Sequence, residues 1–453
     1  MTPLTRHGRL KLRATFRVER EEEGLPTLRI PGMLRALNHR NYRLFISGQL
    51  ISLIGTWMQS VAQSWLVYRL TGSPVLLGAV GFAGQIPVFL LAPVGGLVAD
   101  RHDRRRILLV TQSVSMALAL ALGALTLSGQ IEVWHVATIA ALLGVVNGFD
   151  IPTRQAFVTE LVTRQDLVNA IALNSSMFNG ARIVGPAIAG IVVAAVGEGW
   201  CFLANGLSYV AVLTGLLAIR RPVPKREPRK GSAFAEASEG FRFAANTAPV
   251  RALLLLLGLV SLTGMPYAVL MPVMAAGVLG VGASGLGVLM GASGAGALTG
   301  ALLLARRGSV RGLGRWVAMA AGGFGVSLVL FSFSRWFWLS VALLLPVGFA
   351  MMIQMSSSNT LIQSMVPDRL RGRVMAVYSM MFMGMAPFGA LLAGVLAERF
   401  GAPATIALGG ALSIAGALVF RRKLPLIGPE ARRLIIAQEA AAGDPPQERS
   451  AGS

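Results

Sequence analysis

Charged side chains that fall within apolar stretches are the residues of this sequence best placed to do chemistry. Charged residues make up only 13% of the 453, and Asp150, Arg154 and Arg182 interrupt segments that are otherwise almost wholly apolar. A carboxylate in such surroundings can bind and release a proton, and a guanidinium can bind an anion. Because an ionisable group is costly to place in hydrocarbon, each of the three is a candidate functional residue.

Asp150 and Arg154 share one helix face with Asn147, because the three follow an i, i+3, i+7 spacing. Asp150 is the candidate for a proton-coupled switch, and a plain ion pair with Arg154 is the structural alternative. Arg182 lies about two turns deeper in the bilayer, so the sequence predicts no direct pair with Asp150. Two interpretations of Arg182 remain open: it bonds backbone carbonyls beside Pro186, or it faces a central path and attracts an anionic group.

A denser charged run, "GGLVADRHDRRRILLV" at 95–110, joins two apolar segments. Asp100 and Arg104 are four residues apart and so share a helix face. The run is either a contact that opens and closes during function or a cluster of charges that only fixes topology, and the family resemblance given below favours the first. Arg101, Arg105 and Arg106 are expected to anchor the chain to lipid headgroups.

Polar residues form a helical stripe, Ser52, Thr56, Gln59 and Gln63, on the first apolar stretch. Such a stripe would be costly against lipid, so it is expected to line a path through the protein. Further path candidates on other stretches are Asn179 and Gln354.

Other kinds of chemistry find no support in the sequence. Cys201 is the only cysteine, so no intramolecular disulfide is expected. The histidines, His7, His39, His102 and His135, are scattered and predict no metal site. We find no nucleotide-binding loop, which argues against direct ATP drive, and no convergent His, Asp and Glu of the kind that a membrane enzyme needs. No cofactor is expected.

The elements that position these residues are membrane-spanning helices. Hydrophobic residues make up 54% of the chain, mean hydropathy is +0.64, and soluble proteins carry about twice this charged fraction. A span needs about 20 apolar residues, and lipid demands a helix there. Twelve stretches qualify: 44–68, 75–99, 106–128, 135–156, 168–196, 200–219, 252–276, 283–305, 314–334, 336–358, 373–397 and 402–420.

The arginines are concentrated in alternate connections between these stretches. The positive-inside rule therefore places those connections and both termini in the cytoplasm, with the protein in a bacterial cytoplasmic (inner) membrane. This distribution explains the net charge of +21 without nucleic acid as a partner.

Five regions follow along the chain. Residues 1–40 form a basic cytoplasmic arm, 41–220 a six-helix bundle, 221–250 a cytoplasmic linker, 251–421 a second six-helix bundle, and 422–453 a tail. Part of the linker is expected to form an amphipathic helix along the membrane face. The tail is expected to be disordered from 424 onwards.

The two bundles are related by an internal repeat. An offset of 204 residues places Gly144 on Gly348 and the stretch 172–190 on 376–394, where several residues coincide without a gap. Two parallel six-helix halves with a path between them are the architecture of an alternating-access transporter.

The chain resembles the major facilitator superfamily, whose cytoplasmic signature is G-x-x-x-D-R/K-x-G-R-R/K. Gly96, Asp100, Arg101, Arg104 and Arg105 match this signature, while Asp103 stands where the family usually has glycine. A degenerate second copy lies at 300–312. The stretches 149–162, 181–190, 239–243 and 367–380 are similar to the enterobactin-exporter-like branch.

The resemblance implies roles for several residues. Asp100 would face the start of the eleventh span, and Arg104 would pair with an acidic residue of the fourth helix, for which Asp150 is the candidate. Both contacts would close the cytoplasmic side and break on inward opening, with Arg154 as a further member of this gate.

An exporter-associated motif on the fifth helix is matched by Gly180, Gly185, Pro186 and Gly190. In this motif the kink and close packing are thought to favour extrusion, although packing of small residues alone also explains the glycines. Proton-linked exporters of the superfamily often carry an arginine in the middle of the fourth helix. The stretch 136–148 has none, which argues against proton antiport.

The sequence as a whole predicts a secondary transporter that exports a small apolar or amphipathic organic molecule, siderophore-like or drug-like, with coupling to protons left open. It would act as a monomer in the lipid bilayer and not as an enzyme. The alternatives are an importer or lipid flippase of the same fold, and a receptor or sensor that does not transport.

Overall fold

The computed structural model describes residues 32–219, 233–307 and 309–442, and twelve of its helices are long and apolar enough to cross a membrane. This confirms the expected all-α fold. In chain order, from the first span to the twelfth, they are Arg40–Thr71, Pro74–Arg101, Arg104–Leu127, Val133–Leu161, Leu167–Val196, Glu198–Ala218, Ala248–Val278, Ala283–Arg307, Leu313–Phe333, Phe337–Met365, Asp368–Phe400 and Ala402–Ala440.

Successive spans run in opposite directions, so the arginine-bearing connections after the second, fourth, eighth and tenth spans lie at one end of the bundle. We call this the arginine-rich end and the other the opposite end. Within the first six spans the second packs on the fourth and the third on the sixth, and within the last six the eighth packs on the tenth and the ninth on the twelfth. This equivalent packing fits a duplicated six-helix unit.

Glycines set the closest crossings within each unit. A Cβ atom added to Gly144 would collide with the carbonyl oxygen of Gly84, and one added to Gly348 would collide with that of Ser293. Gly144 and Gly348 are the pair related by the repeat offset. The same small residue therefore lets two backbones touch at corresponding places in both halves.

The two halves contact each other through the second span against the eleventh and the fifth against the eighth. A Cβ atom at Gly190 would lie 3.0 Å from the carbonyl oxygen of Ala283. The Ser73 hydroxyl lies 3.2 Å from a carboxylate oxygen of Glu398. These contacts are at the opposite end, so the halves are joined there.

Two spans of the second half are interrupted. The seventh is α-helical to Leu259 and then passes through π and 3-10 segments, interrupted by a short α-helical stretch at Met271–Val273. Pro266 lies at the start of a 3-10 segment and Pro272 at the start of that α-helical stretch. Proline has no N–H and cannot continue the α-helical ladder. The eleventh is divided at Gly384, where the phenyl ring of Phe89 approaches its backbone.

The expectation of disorder from 424 onwards is wrong for the residues described, because the twelfth helix runs on to Ala442. Its continuation places Leu424, Ile427, Ala431 and Leu434 against the core. Their i, i+3, i+7, i+10 spacing is that of an amphipathic helix, which outweighs the polar composition. Residues 443–453 lie outside the described residues.

The linker contains the expected helix, Ala233–Asn246, which packs against the start of the eleventh span. Of the N-terminal arm, Gly32–Asn38 forms a 3-10 helix. Residues 1–31 and 220–232, which carry the rest of the arm and the basic part of the linker, lie outside the described residues.

Candidate functional site

Arg104 ties the second span to the fourth at the arginine-rich end. Its guanidinium donates to a carboxylate oxygen of Asp100 at 3.1 Å and to one of Glu160 at 2.9 Å. It also donates to the carbonyl oxygens of Ala99 and Ala156. The acidic partner on the fourth helix is therefore Glu160, and the prediction of Asp150 was wrong. Arg104 begins the third span, and Asp150 lies about 15 Å deeper than Glu160 at 1.5 Å per residue.

Asp103 starts the third helix. Its carboxylate accepts a hydrogen bond from the backbone N–H of Arg105 at 2.9 Å, which satisfies one of the donors that a helix leaves free at its N-terminus. The aspartate that replaces the family's usual glycine is thus a helix cap.

Arg105 does not serve as the predicted headgroup anchor. Its guanidinium donates to the carbonyl oxygens of Leu216 and Leu217, at 2.7 and 2.9 Å, and so caps the last turn of the sixth span. Arg106 and Arg101 are exposed, and the headgroup role of these two stays a prediction.

Asp150 is the centre of a buried cluster within the first half. Its carboxylate accepts hydrogen bonds from the Thr111 hydroxyl at 2.9 Å and the Gln112 amide at 2.8 Å, and it lies 3.4 Å from the guanidinium of Arg154. Arg154 also donates to the side-chain oxygen of Gln49 at 3.2 Å. Two hydrogen bonds and one opposite charge therefore surround a buried carboxylate.

The polar cluster continues towards the first span through Tyr209, which interacts with Thr56, Asn205 and Ser115. The Asn205 amide donates to Gln59 at 2.6 Å. Gln59 therefore faces its own half and not a path.

The predicted polar stripe is split by this packing. Ser52 is buried together with Gln59, whereas Thr56 is exposed and Gln63 is half-buried. Of the stripe, Thr56 and Gln63 remain accessible. The other predicted path residues, Asn179 and Gln354, are both buried.

Arg182 lies where the two halves meet. One guanidinium nitrogen is 3.8 Å from the sulfur of Met351 on the tenth span, and the guanidinium carbon is 5.8 Å from the centre of the Trp57 ring on the first. Tyr267 of the seventh span is a further neighbour. Of the two interpretations left open, this geometry favours the central path over bonds to carbonyls beside Pro186.

A family model described as "Transmembrane secretion effector", a branch of the major facilitator superfamily, matches residues 32–439. The chain belongs to the major facilitator superfamily. It is 26% identical to the staphyloferrin A transporter of Staphylococcus aureus, over 85% of this chain and 97% of the relative. Identity to the multidrug efflux pump Tap of Mycolicibacterium fortuitum is 27% over 80% and 90% of the two chains. For the enterobactin exporter EntS of Shigella boydii it is 25% over 87% and 93%.

Solved structures share the fold. A POT family transporter in complex with 5-aminolevulinic acid superimposes with a TM-score of 0.70 at 11% identity, over 86% of this chain and 96% of the other. A bacterial homolog of the human lysosomal transporter Spinster gives 0.65 at 14%, over 88% and 98%. The protein is thus a multi-pass membrane transporter of the superfamily, related to siderophore and drug transporters.

The exporter-associated motif of this superfamily member has two contact faces on the fifth span. A Cβ atom at Gly185 would lie 2.5 Å from the Cβ of Trp57 on the first span, and Gly190 abuts the eighth span of the other half. At Gly180 a Cβ atom would meet nothing within 4 Å. Gly185 and Gly190 therefore pack closely against other spans and Gly180 does not, while the helix is continuous through Pro186. The role of these residues in extrusion stays a prediction.

The signature glycine Gly96 also lacks a close contact. A Cβ atom at Gly96 would meet nothing within 4 Å, whereas one at the neighbouring Gly95 would collide with the carbonyl oxygen of Gly148 on the fourth span. In this conformation Gly95 is the contact and Gly96 faces open space.

Sequence reasoning missed Glu160 and Glu239. Glu160 could have been found by counting depth, since it is one residue from the end of the fourth span and so level with Arg104. Glu239 on the linker helix binds two guanidiniums at the start of the eleventh span, that of Arg369 at 2.6 Å and that of Arg373. Its signals were its place on an amphipathic helix and within the stretch 239–243.

Proposed function

We propose that this chain is a secondary transporter that exports a small amphipathic organic molecule, siderophore-like or drug-like, by alternating access. The observation that carries the proposal is the way in which the two halves meet. They are joined at the opposite end, where Ser73 contacts Glu398, whereas at the arginine-rich end each half has partners of its own. The relatives named a multidrug efflux pump and an enterobactin exporter support the direction and the cargo class.

The positive-inside rule supports a cytoplasmic location for the arginine-rich end and both termini. In a bacterial cytoplasmic membrane the present conformation is then open to the cytoplasm, ready to accept cargo from inside. The protein would act as a monomer, since each chain holds both halves of the path.

Closure of the cytoplasmic side would use the charged face of the second span. Asp100 has 48% of its side chain exposed, and nothing lies within 4 Å of a Cβ atom at Gly96, so this face is available to a new partner. The start of the eleventh span offers free backbone N–H groups and the positive end of a helix dipole, which stabilise a carboxylate. Arg104 would stay on Glu160 and hold the second span in position.

Asp150 is the residue through which protons would be coupled to transport. A proton on its carboxylate would remove the charge that faces Arg154 and weaken the acceptor of Thr111 and Gln112. The Arg154 side chain would then depend on Gln49 alone among the described residues.

The test is uptake into ATP-depleted everted vesicles that contain the protein, across a panel of siderophores and lipophilic drugs, with and without a proton gradient. Export predicts accumulation above vesicles that lack the protein, and proton coupling predicts that dissipating the gradient or the Asp150→Asn substitution reduces it. Arg106→Gln, at an exposed site, is the matched control for an altered charge. Accumulation only in right-side-out vesicles would show an importer, and accumulation that ignores the gradient would remove proton coupling.

A further inference from the structure

Arg182 differs in its partners from three arginines of the first half that pair with carboxylates. Arg69, Arg104 and Arg154 lie 2.7, 2.9 and 3.4 Å from carboxylate oxygens of Glu198, Glu160 and Asp150 respectively. Within the part of the chain that the structure describes, no carboxylate lies within ion-pair distance of Arg182. A guanidinium at this depth without a counter-charge is costly, so the protein carries a cation that some other anion can neutralise.

The groups around Arg182 are apolar and aromatic. The guanidinium faces the sulfur of Met351 and the ring of Trp57, and the Trp57 ring meets Phe178 edge to face at 5.7 Å. These neighbours are soft or planar surfaces that can pack against an apolar body, and they leave most of the five guanidinium donors unused.

The tenth span adds unused polar groups on the same helix as Met351. The amide nitrogen of Gln354 and the hydroxyls of Ser357 and Ser358 are buried and have no hydrogen-bond partner among the described residues. Buried polar groups are normally paired, so unpaired ones call for an explanation. A polar molecule between the halves, or a rearrangement on closure, would supply their partners.

From these contacts we infer that the cargo is an organic anion with an apolar or aromatic body, and that Arg182 binds its acidic group. The inference rests on the proposed function and narrows its substrate class from amphipathic molecules in general to those that carry a carboxylate or a comparable acid. Because Arg182 touches the first and tenth spans, which belong to different halves, an anion bound there contacts both halves at once. Its charge would remove the cost of enclosing the guanidinium when the halves close.

The experiment compares two probes of similar shape, naphthylacetate and naphthylacetamide, in which an uncharged amide replaces the carboxylate. Binding to the purified full-length protein in detergent is measured by calorimetry, for the wild type, Arg182→Gln and Arg182→Lys. We expect the wild type to bind the carboxylate at least about tenfold more tightly than the amide, the size of effect that a charge-assisted hydrogen bond gives. Arg182→Gln should bind both probes equally, and Arg182→Lys should keep part of the preference.

Arg106→Gln, which removes one positive charge at a site with 88% of the side chain exposed, serves as the matched control and should keep the full preference. Gel filtration and thermal unfolding check that each variant is folded. If Arg182→Gln does not fold, Arg182→Lys still tests the inference. Equal affinities in the wild type, failure of both probes to bind, or a preference that survives Arg182→Gln would overturn the inference. Vesicle uptake of the wider panel separates the two proposals, because uptake of neutral cargo without any anion preference would refute the anion site alone.

Discussion

The two halves of this transporter share a scaffold but differ in what lies at the corresponding positions. With the 204-residue offset that joins Gly144 to Gly348, Asp150 falls on Gln354 and Arg154 falls on Ser358. The first half thus has a buried ion pair where the second has an amide and a hydroxyl that lack partners among the described residues. The two halves thus share their helix crossings, but the buried charges at these positions are present only in the first half.

The arginine-rich ends differ in the same way. In the first half Arg104 is held by carboxylates of its own bundle. In the second half Arg307 stacks 4.5 Å over the Trp316 ring and donates to the carbonyl oxygen of Arg311, and the acidic contact comes from Glu239 of the linker helix. The first half thus supplies its own carboxylates to Arg104, whereas Arg369 and Arg373 of the second half are bound by Glu239 from outside its six spans. The pair of Arg371 with the exposed Asp368 is internal to the eleventh span.

The largest expected effect comes from breaking the buried ion pair. Asp150→Leu leaves the Arg154 guanidinium with no carboxylate partner among the described residues and should cost about 3–5 kcal/mol of unfolding free energy, because a buried charge loses its partner. Gln354→Leu, at the corresponding position, should change stability by about 1 kcal/mol or less, since the amide nitrogen it removes is unpaired. Denaturant unfolding in detergent measures both.

The double variant Asp150→Leu with Arg154→Leu is the control for that comparison. It should recover most of the loss, because no charge is left unpaired. Equal losses of unfolding free energy for Asp150→Leu and Gln354→Leu would show that the side chains at these two positions contribute equally to the stability of their halves.

A smaller loss of stability is expected for substitutions at the ends of the spans. Arg104→Gln removes hydrogen bonds to two carboxylates and two carbonyl groups from a side chain that is 14% exposed, and should cost about 1–3 kcal/mol. Arg307→Gln removes a stacking contact and one hydrogen bond and should cost about 1 kcal/mol. Thermal unfolding of the two variants side by side ranks them, and a larger loss for Arg307→Gln would reverse the comparison.

Loss of the contacts made by Glu239 should loosen the linker helix and leave the rest of the protein unchanged. Glu239→Gln removes the charge that holds Arg369 and Arg373, and we expect amide hydrogen exchange in Ala233–Asn246 to rise by about tenfold, the effect of losing about 1.4 kcal/mol of local stability. Glu160→Gln, a carboxylate of the first half, should leave exchange in this helix unchanged. Unchanged exchange in Glu239→Gln would mean that apolar packing alone fixes the linker helix.

The smallest expected effect is on the pH dependence of stability. The hydrogen bond from His39, which lies 2.8 Å from the Asp166 carboxylate, lowers the pKa of Asp166 below its ordinary 3.8. A carboxylate with a lowered folded-state pKa adds stability above its unfolded pKa and loses it as the pH falls through the folded value. Asp166→Asn should therefore lower the unfolding temperature slightly at pH 6 and have no effect well below pH 3.8.

Asp368→Asn is the matched control in the second half, since its carboxylate is 85% exposed beside Arg371. It should leave the unfolding temperature nearly unchanged at both pH values. A difference between wild type and Asp166→Asn that persists at the lower pH would contradict the assignment to this carboxylate.

The spans, their number and the linker helix could be predicted because each depends on a local pattern of apolar residues. Which acidic residue pairs with an arginine depends on how deep each residue lies along its span and on which helices are neighbours. This explains why Glu160 was missed as the partner of Arg104. The surroundings of Arg182 were beyond reach for the same reason, since Trp57 and Met351 are brought to it only by the packing of the first and tenth spans. The helical tail was missed although Leu424, Ile427 and Ala431 carried its periodicity, because composition was given more weight than spacing.

The interrupted seventh and eleventh spans have a mechanical consequence. The first span is one unbroken helix from Arg40 to Thr71, whereas its repeat counterpart, the seventh, changes its hydrogen-bond spacing repeatedly before Val278. A continuous helix resists bending along its length, and departures from the i to i+4 ladder are where helices yield. When the molecule rocks between its two openings, we therefore expect the first half to behave as a stiff body and the second, at its seventh and eleventh helices, to absorb the deformation.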